Sequence, residues 1–255
     1  LCTNAYHAME ATGGSLDISL TQARFESDHL GPMEIVPGEY ACLIVSDTGV
    51  GIEKGLMYTE DLIRRWQGNP IISIAVEPHS LFTCTPELLM ASNELALKHR
   101  VPLIIHVAET LNEISEIKGK YAKTPIEHLE SLGLLGGHLI ADHCVHLEPS
   151  DIKKMAERGV KVVHNPESNM KLASGIAPVP EMIKQGVTVG LGTDGCASNN
   201  NLDLFSEMDT AAKLHKVHAM DPTVVDAVTV LRMTTIEGAR ALGLQDITGS
   251  LEIGK

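Results

Sequence analysis

His106-Val107-Ala108-Glu109 decides how this chain is read. It follows the apolar run Val101-Pro102-Leu103-Ile104-Ile105, whose length and lack of alternation predict a buried parallel strand. A histidine and a glutamate three residues apart, at the carboxyl end of such a strand, can face one pocket. Two more strand ends carry the same kinds of residue. Leu139-Ile140-Ala141-Asp142 runs into His143-Cys144-Val145-His146, and Val187-Thr188-Val189-Gly190-Leu191-Gly192-Thr193 runs into Asp194-Gly195. A His, a Glu, a second His and an Asp at βα strand ends form the arrangement of a metal-dependent hydrolase on a (β/α) barrel, whose active sites sit at that end.

Working outward, strands are predicted at 71–76, 102–106, 138–143, 161–164 and 188–193. Helical patterns fall at 86–99, 125–132, 149–157 and 178–185, with two more at 201–216 and 223–242. Pro86, Pro125, Pro149 and Pro222 stand at or near first turns, where a missing N–H costs nothing. Five βα units make a parallel α/β arrangement, and five strands do not close an eight-stranded barrel. Residues 1–54 break the rhythm. They read as a helix at 1–11, a Gly13-Gly14 turn, a strand at 15–21, a loop with Pro32 and Pro37, and a strand at 40–46. The seam falls near Glu53-Lys54-Gly55. Leu1 and the closing Gly249–Lys255 stretch suggest a fragment.

The composition agrees. Of 255 residues, 44% are hydrophobic but only 3% aromatic, which suits stacked Val, Ile and Leu layers. A net charge of −13 speaks against nucleic acid or an anionic membrane as partner. Cys2, Cys42, Cys84, Cys144 and Cys196 are odd in number and widely spaced, so a reducing cytoplasm is expected rather than a disulfide framework. No signal peptide is read in these residues and no membrane span is expected, since no apolar run reaches the roughly 18 residues that one needs.

Imidazole and carboxylate suit a divalent metal that activates water. His106 and Asp194 are the ligand candidates. Glu109, three residues after a ligand, is placed to shuttle a proton, and His143 to orient the attacking water. Taken singly, each has a blander reading: a strand-end His is usually a hydrogen-bonded core residue, and Asp before Gly a turn or cap residue. The conjunction at strand ends favours the site. His79 is the best additional polar group for the pocket. His146 and His164 are packing or supporting residues, and His99, His128, His215 and His218 are expected to be solvated on helices.

The phrases Pro78-His79-Ser80-Leu81-Phe82-Thr83-Cys84, His106-Val107-Ala108-Glu109, His143-Cys144-Val145-His146-Leu147 and His164-Asn165-Pro166-Glu167-Ser168-Asn169 carry a resemblance. With Lys171-Leu172-Ala173-Ser174-Gly175, Gly192-Thr193-Asp194-Gly195 and Ser198-Asn199-Asn200, residues 55–255 resemble the amidohydrolase superfamily. Within it they look like the methylthioadenosine/S-adenosylhomocysteine deaminase branch, which overlaps the chlorohydrolase-like proteins. The resemblance implies a zinc-dependent (β/α)8 TIM barrel, here strands 4–8. It also implies hydrolytic replacement of an adenine amino group by water, with release of ammonia from a small nucleoside. On this resemblance His106 and Asp194 hold the metal, and Glu109 and His143 are catalytic. His79, Glu109 and Asp194 face the substrate. The family's His-x-His metal pair has no counterpart anywhere in the 255 residues. Guanine, cytosine or a chlorotriazine are alternative ring substrates on similar site residues.

Residues 1–54 look like a fragment of the α/β-sandwich ATP-binding domain of sensor histidine kinases. Asn4-Ala5-Tyr6-His7-Ala8-Met9 resembles its Mg²⁺-binding helix. Asp47-Thr48-Gly49-Val50-Gly51-Ile52 resembles the adenine-binding motif, in which Gly49 and Gly51 let the backbone approach nucleotide. That resemblance implies ATP with Mg²⁺ at Asn4, Asp47, Gly49 and Gly51. Two truncated genes joined near residues 53–55, and a homo-oligomer, are further expectations.

Overall fold

The computed structural model describes residues 16–25, 38–47 and 52–253, those before Gly55 by their backbone alone. They belong to two compact units, Leu1–Asp61 and Leu62–Lys255. In the first, strand β1 (Leu16–Phe25) pairs antiparallel with β2 (Gly38–Asp47), Leu16 opposite Asp47 and Phe25 opposite Gly38. Both strands run longer than expected, and Asp47 closes β2. The helix expected at 1–11, the Gly13-Gly14 turn, Asn4, Gly49 and Gly51 lie outside the described residues. Helix α1 (Ile52–Trp66) follows.

The second unit holds a four-stranded parallel sheet in sequence order: β3 (Leu103–Val107), β4 (Leu139–His143), β5 (Lys161–His164) and β6 (Thr188–Leu191). Their register sets Ile105 against Ala141, His106 against Asp142 and Val163 against Gly190. Two faces follow from the period of two. Leu103, Ile105, Ala141 and Val162 are fully buried. The intervening Ile104, His106, Asp142 and Val163 are half-buried, and that second face carries the site.

The fifth strand expected, at 71–76, does not form. Only Val76 and Ser80 make isolated parallel bridges, to Leu103 and His106. The side chain of Asn69 takes the N–H groups of Ile71 and Ile72 at 2.8 and 2.9 Å, and Pro102 has no N–H to offer. Local turn chemistry thus wins over the ladder.

Several helices start at a side-chain cap. Thr85 caps α2 (Pro86–His99) and Thr110 caps α3 (Leu111–Tyr121). Thr124 and Glu127 form a capping box on α4 (Pro125–Ser131). Next come α5 (Pro149–Arg158), α6 (Pro166–Lys171) and α7 (Val179–Lys184). Asp203 caps α8 (Leu204–Ala219). The single helix expected at 223–242 is two, α9 (Ala227–Thr234) and α10 (Ile236–Leu242). The break is at Thr235. Its hydroxyl and that of Thr234 donate to Leu231 and Val230 carbonyls at 2.6 and 2.9 Å, a back-bonding that bends helices. The bend suits Gly238, whose Cα would lie 3.2 Å from any Cβ at Gly190 of β6. Among the described residues no helix is long and apolar enough to cross a membrane.

Candidate active site

The carboxyl ends of the strands bring the sequence candidates together. The ring of His106, in β3, lies 5.1 Å from that of His79 and 5.4 Å from that of His143, stacked on the latter. His143 Nε2 is 3.9 Å from Glu109 Oε2 and 4.0 Å from Asp194 Oδ2. All five residues therefore border one small volume. Four non-glycine residues of these strand ends take left-handed backbone: Ala108 (φ 54°), His143 (67°), Cys144 (50°) and Asp194 (60°). Each costs about 1 kcal/mol or more and persists only where its surroundings hold it.

The surroundings do hold it. The carbonyl of Ala108 accepts from Val145 and His146 N–H at 3.0 and 2.9 Å, and Val107 O from Cys144 N–H at 3.0 Å. These bonds tie the β3 loop to the β4 loop. At β6, any Cβ on Gly192 would stand 2.6 Å from Val163 Cγ1 and overlap Asn165, so only glycine lets the chain pass into Asp194.

Side chains around the five candidates orient them. His106 Nδ1 donates to the His79 carbonyl at 2.7 Å, which leaves Nε2 as the ring nitrogen available to a ligand. His143 Nδ1 donates to Asn169 Oδ1 at 2.8 Å. Ser168 donates to Asp194 Oδ2 at 2.5 Å, and Gly195 N–H to its Oδ1 at 2.6 Å. Ser174 donates to Glu109 Oε1 at 3.1 Å. Thr83 Oγ1 is 2.6 Å from His79 Nδ1. Ser168, Asn169, Ser174 and Thr83 lie in the quoted motifs but had no assigned role; only the fold shows what they touch.

The electrostatics are those of a partly dry, charge-rich site. Burial favours a neutral His106. Asp142, the His79 carbonyl, Glu77 and Glu109 outweigh it and hold the imidazole above its usual pKa. Burial would raise Asp194 too, but Ser168, Ser198 and the Gly195 N–H keep its carboxyl below the usual range. Burial pushes Asp142 up to about 7.

Other histidines depart from expectation. His128 and His215 are buried, 3% and 1% exposed, not solvated. His128 stacks on Tyr121 at 3.8 Å, and His215 Nε2 meets His164 Nε2 at 3.1 Å. His146 Nε2 bonds the Ser174 carbonyl at 2.8 Å.

His106 and Asp194 fit a divalent metal by donor type and by the free Nε2. Among the described residues, no group of three or more His, Cys, Asp or Glu side chains is set to hold an ion.

The sequence model of the Amidohydrolase family matches residues 53–255. A 5-methylthioadenosine/S-adenosylhomocysteine deaminase of Syntrophobacter fumaroxidans is 56% identical over 230 residues, 90% of this chain and 52% of the relative. A zinc-bound adenosine deaminase from Xanthomonas campestris superposes with a TM-score of 0.80 at 42% identity, over 82% of this chain and 47% of that one. A zinc-bound atrazine chlorohydrolase from Arthrobacter aurescens gives 0.76 at 28% identity, over 82% and 47%. The chain spans about half the length of the curated relatives it matches.

Proposed function

Because the chain belongs to the amidohydrolase family, we propose that its strand-end array is part of a hydrolytic deaminase site for adenosine-type nucleosides such as methylthioadenosine or S-adenosylhomocysteine. The observation that carries this is His143 Nε2 within 4.0 Å of both the Glu109 and Asp194 carboxylates, beside the His106 ring. The names of the relatives support the substrate class.

In this reading His106 and Asp194 hold a zinc ion, which when bound supplies the Lewis acidity that activates water. Glu109 takes a proton from the attacking water as its oxygen bonds to the purine carbon bearing the amino group. Glu109 passes that proton to the ring nitrogen, then takes the second proton from the new hydroxyl and gives it to the leaving amine, so water and the aminopurine become the oxo-purine and ammonia. One carboxylate can serve both partners because it lies between them. His143, with Nδ1–H donating to Asn169, presents the Nε2 lone pair to the attacking water and orients it. His79 holds the nucleoside.

The test is complementation. The chain is fused to the N-terminal half of the S. fumaroxidans relative, to supply the His-x-His strand that the family resemblance implies. Ammonia released from methylthioadenosine or S-adenosylhomocysteine is the expected result. Chloride release from a chlorotriazine instead, the reading favoured by the chlorohydrolase likeness, would retain the family and reject the deaminase. The unfused chain is expected to bind zinc substoichiometrically, and one tight zinc per chain after dialysis against chelator would contradict that ligand set.

The N-terminal unit has its own proposal, a nucleotide-binding fragment of histidine-kinase type, with Asp47 at the end of β2. ATP binding lost on Asp47→Asn, without ATP hydrolysis, is the expected behaviour; unchanged binding in that variant would remove it. The free thiols of Cys84, Cys144 and Cys196 support a cytoplasmic location.

A further inference from the structure

Thr110-Leu111-Asn112-Glu113 has the sequence of a capping box, in which the glutamate reaches back to the N–H of the cap residue. Half of that box forms: Thr110 Oγ1 accepts from Glu113 N–H at 3.2 Å. The other half does not. The Glu113 carboxylate passes beyond the helix start, and its two oxygens accept from Ala108 N–H at 2.8 Å and Glu109 N–H at 2.9 Å. A true box exists elsewhere in the chain for comparison: Glu127 accepts from the N–H of its own cap, Thr124, at 3.1 Å.

The two glutamates also differ in setting. Glu113 is 1% exposed, whereas Glu127 lies at the surface with Lys154 beside it. A helix cap needs no burial. Placing a carboxylate in the interior is unfavourable unless it is fully hydrogen-bonded, so the two backbone donors explain why Glu113 can be there. They also explain how Ala108 keeps a left-handed φ of 54° without being glycine. The Ala108 peptide is pinned on its N–H side by Glu113 and on its carbonyl side by Val145 and His146. The next residue is Glu109, whose carboxylate stands 3.9 Å from His143 Nε2.

We propose that Glu113 is a positioning residue for Glu109: by accepting both loop N–H groups it sets where the proton-carrying carboxylate sits against His143. The catalytic part of this inference rests on the deaminase reading above; the positioning part does not.

Amide hydrogen exchange on the full chain, read by NMR, tests it. In Glu113→Gln a carboxamide offers one acceptor oxygen, and its NH2 opposes the second donor. Protection of the Ala108 and Glu109 amides should fall about tenfold or more, with Ile105 in β3 unchanged. Glu113→Asp keeps the charge and the helix-start preference but is one methylene too short to span both donors, so it should give the same local loss. It also serves if Glu113→Gln does not fold. Loss confined to the first turn of α3, with Ala108 and Glu109 still protected, would make Glu113 an ordinary cap and overturn the proposal. In the complemented enzyme, Glu113→Gln should lower kcat about 10- to 100-fold, the range for supporting residues, with KM little changed. An unchanged kcat would overturn the catalytic part. A complemented enzyme inactive even with Glu113 intact would reject the deaminase reading, while the exchange result stands by itself.

Discussion

His143 and His164 end neighbouring strands, and both are buried, 1% and 0% exposed, yet they do different things. By alternation, His143 belongs with Val107, its register partner, on the face opposite His106 and Asp142. Its backbone turns left-handed, with φ 67°, and the ring stacks on His106 instead. His164 has no such turn. It pairs with Leu191, stays on the buried face and meets His215 of α8. A left-handed strand end, at His143 and Cys144, accompanies the pocket histidine and is absent from the packing one. A strand-end histidine is therefore a candidate until the residue's φ is known.

The largest effect expected from this contrast is catalytic. In the complemented enzyme, Glu109→Gln should retain zinc and lose roughly 10²- to 10⁴-fold in kcat, the range of general acid–base catalysis. His143→Ala should lose a comparable factor. His164→Ala should instead lower stability by about 2–4 kcal/mol, as for a buried large-to-small change, with kcat little affected. Steady-state kinetics with denaturant melts would show it, and a His164→Ala enzyme that melts normally but is inactive would break the comparison.

Next comes pH. Burial, helped by His218 and Lys216, lowers His215 to about 4, and burial lowers His164 as well. A depressed histidine contributes stability that is present above its unfolded value of about 6.5 and lost as pH falls toward 4. For His215 this amounts to about 3 kcal/mol. Glu113 has the opposite slope. Burial pushes it up to about 7, against the pull of Ala108 and Glu109 N–H and of His106, and with the push of the Glu109 charge. Its contribution is full below about 4.5 and is lost as pH rises through 7, again about 3 kcal/mol. Chemical denaturation from pH 4 to 8 should reveal both limbs; Glu113→Gln should flatten only the upper one.

Smaller effects concern the supports. Asn169→Ala frees His143 Nδ1 and should cost about 10- to 100-fold in activity, and a change below twofold would show that the left-handed turn alone aims the ring. Thr83→Val removes the 2.6 Å contact to His79. It should raise KM about fivefold, corresponding to a typical hydrogen bond of about 1 kcal/mol, with kcat retained.

Much of the site was legible in one dimension because its residues sit at fixed offsets from apolar runs. His106 and Glu109, His143 and Asp194 all follow strands that a continuous apolar pattern predicts, and all four border the same volume. Pro86, Pro125 and Pro149 each opened the helix expected of them. The strand expected at 71–76 does not form because Asn69 captures the Ile71 and Ile72 N–H groups, which apolar content does not reveal. His128 and His215 are buried, against the solvated setting expected, because a helix's buried face depends on what packs against it. Thr110-x-x-Glu113 was the subtlest case, since its local pattern names one hydrogen bond and the fold makes two others.

By itself, then, the sequence determined the parallel α/β class of residues 55–255, the strand ends that carry His106, Glu109, His143 and Asp194, and the family to which they belong. Periodicity, caps and motif spacing are local properties, written in neighbouring residues. Only the tertiary structure decided that His143 turns into the pocket while His164 turns away. Only it showed Asn169, Ser168 and Ser174 as the partners of His143, Asp194 and Glu109, and Glu113 as a clamp on the loop before its own helix. These depend on groups 26 to 65 residues apart for the first three and on a left-handed φ for the last. Neither distance through space nor a dihedral held by its surroundings is encoded by any short stretch of chain.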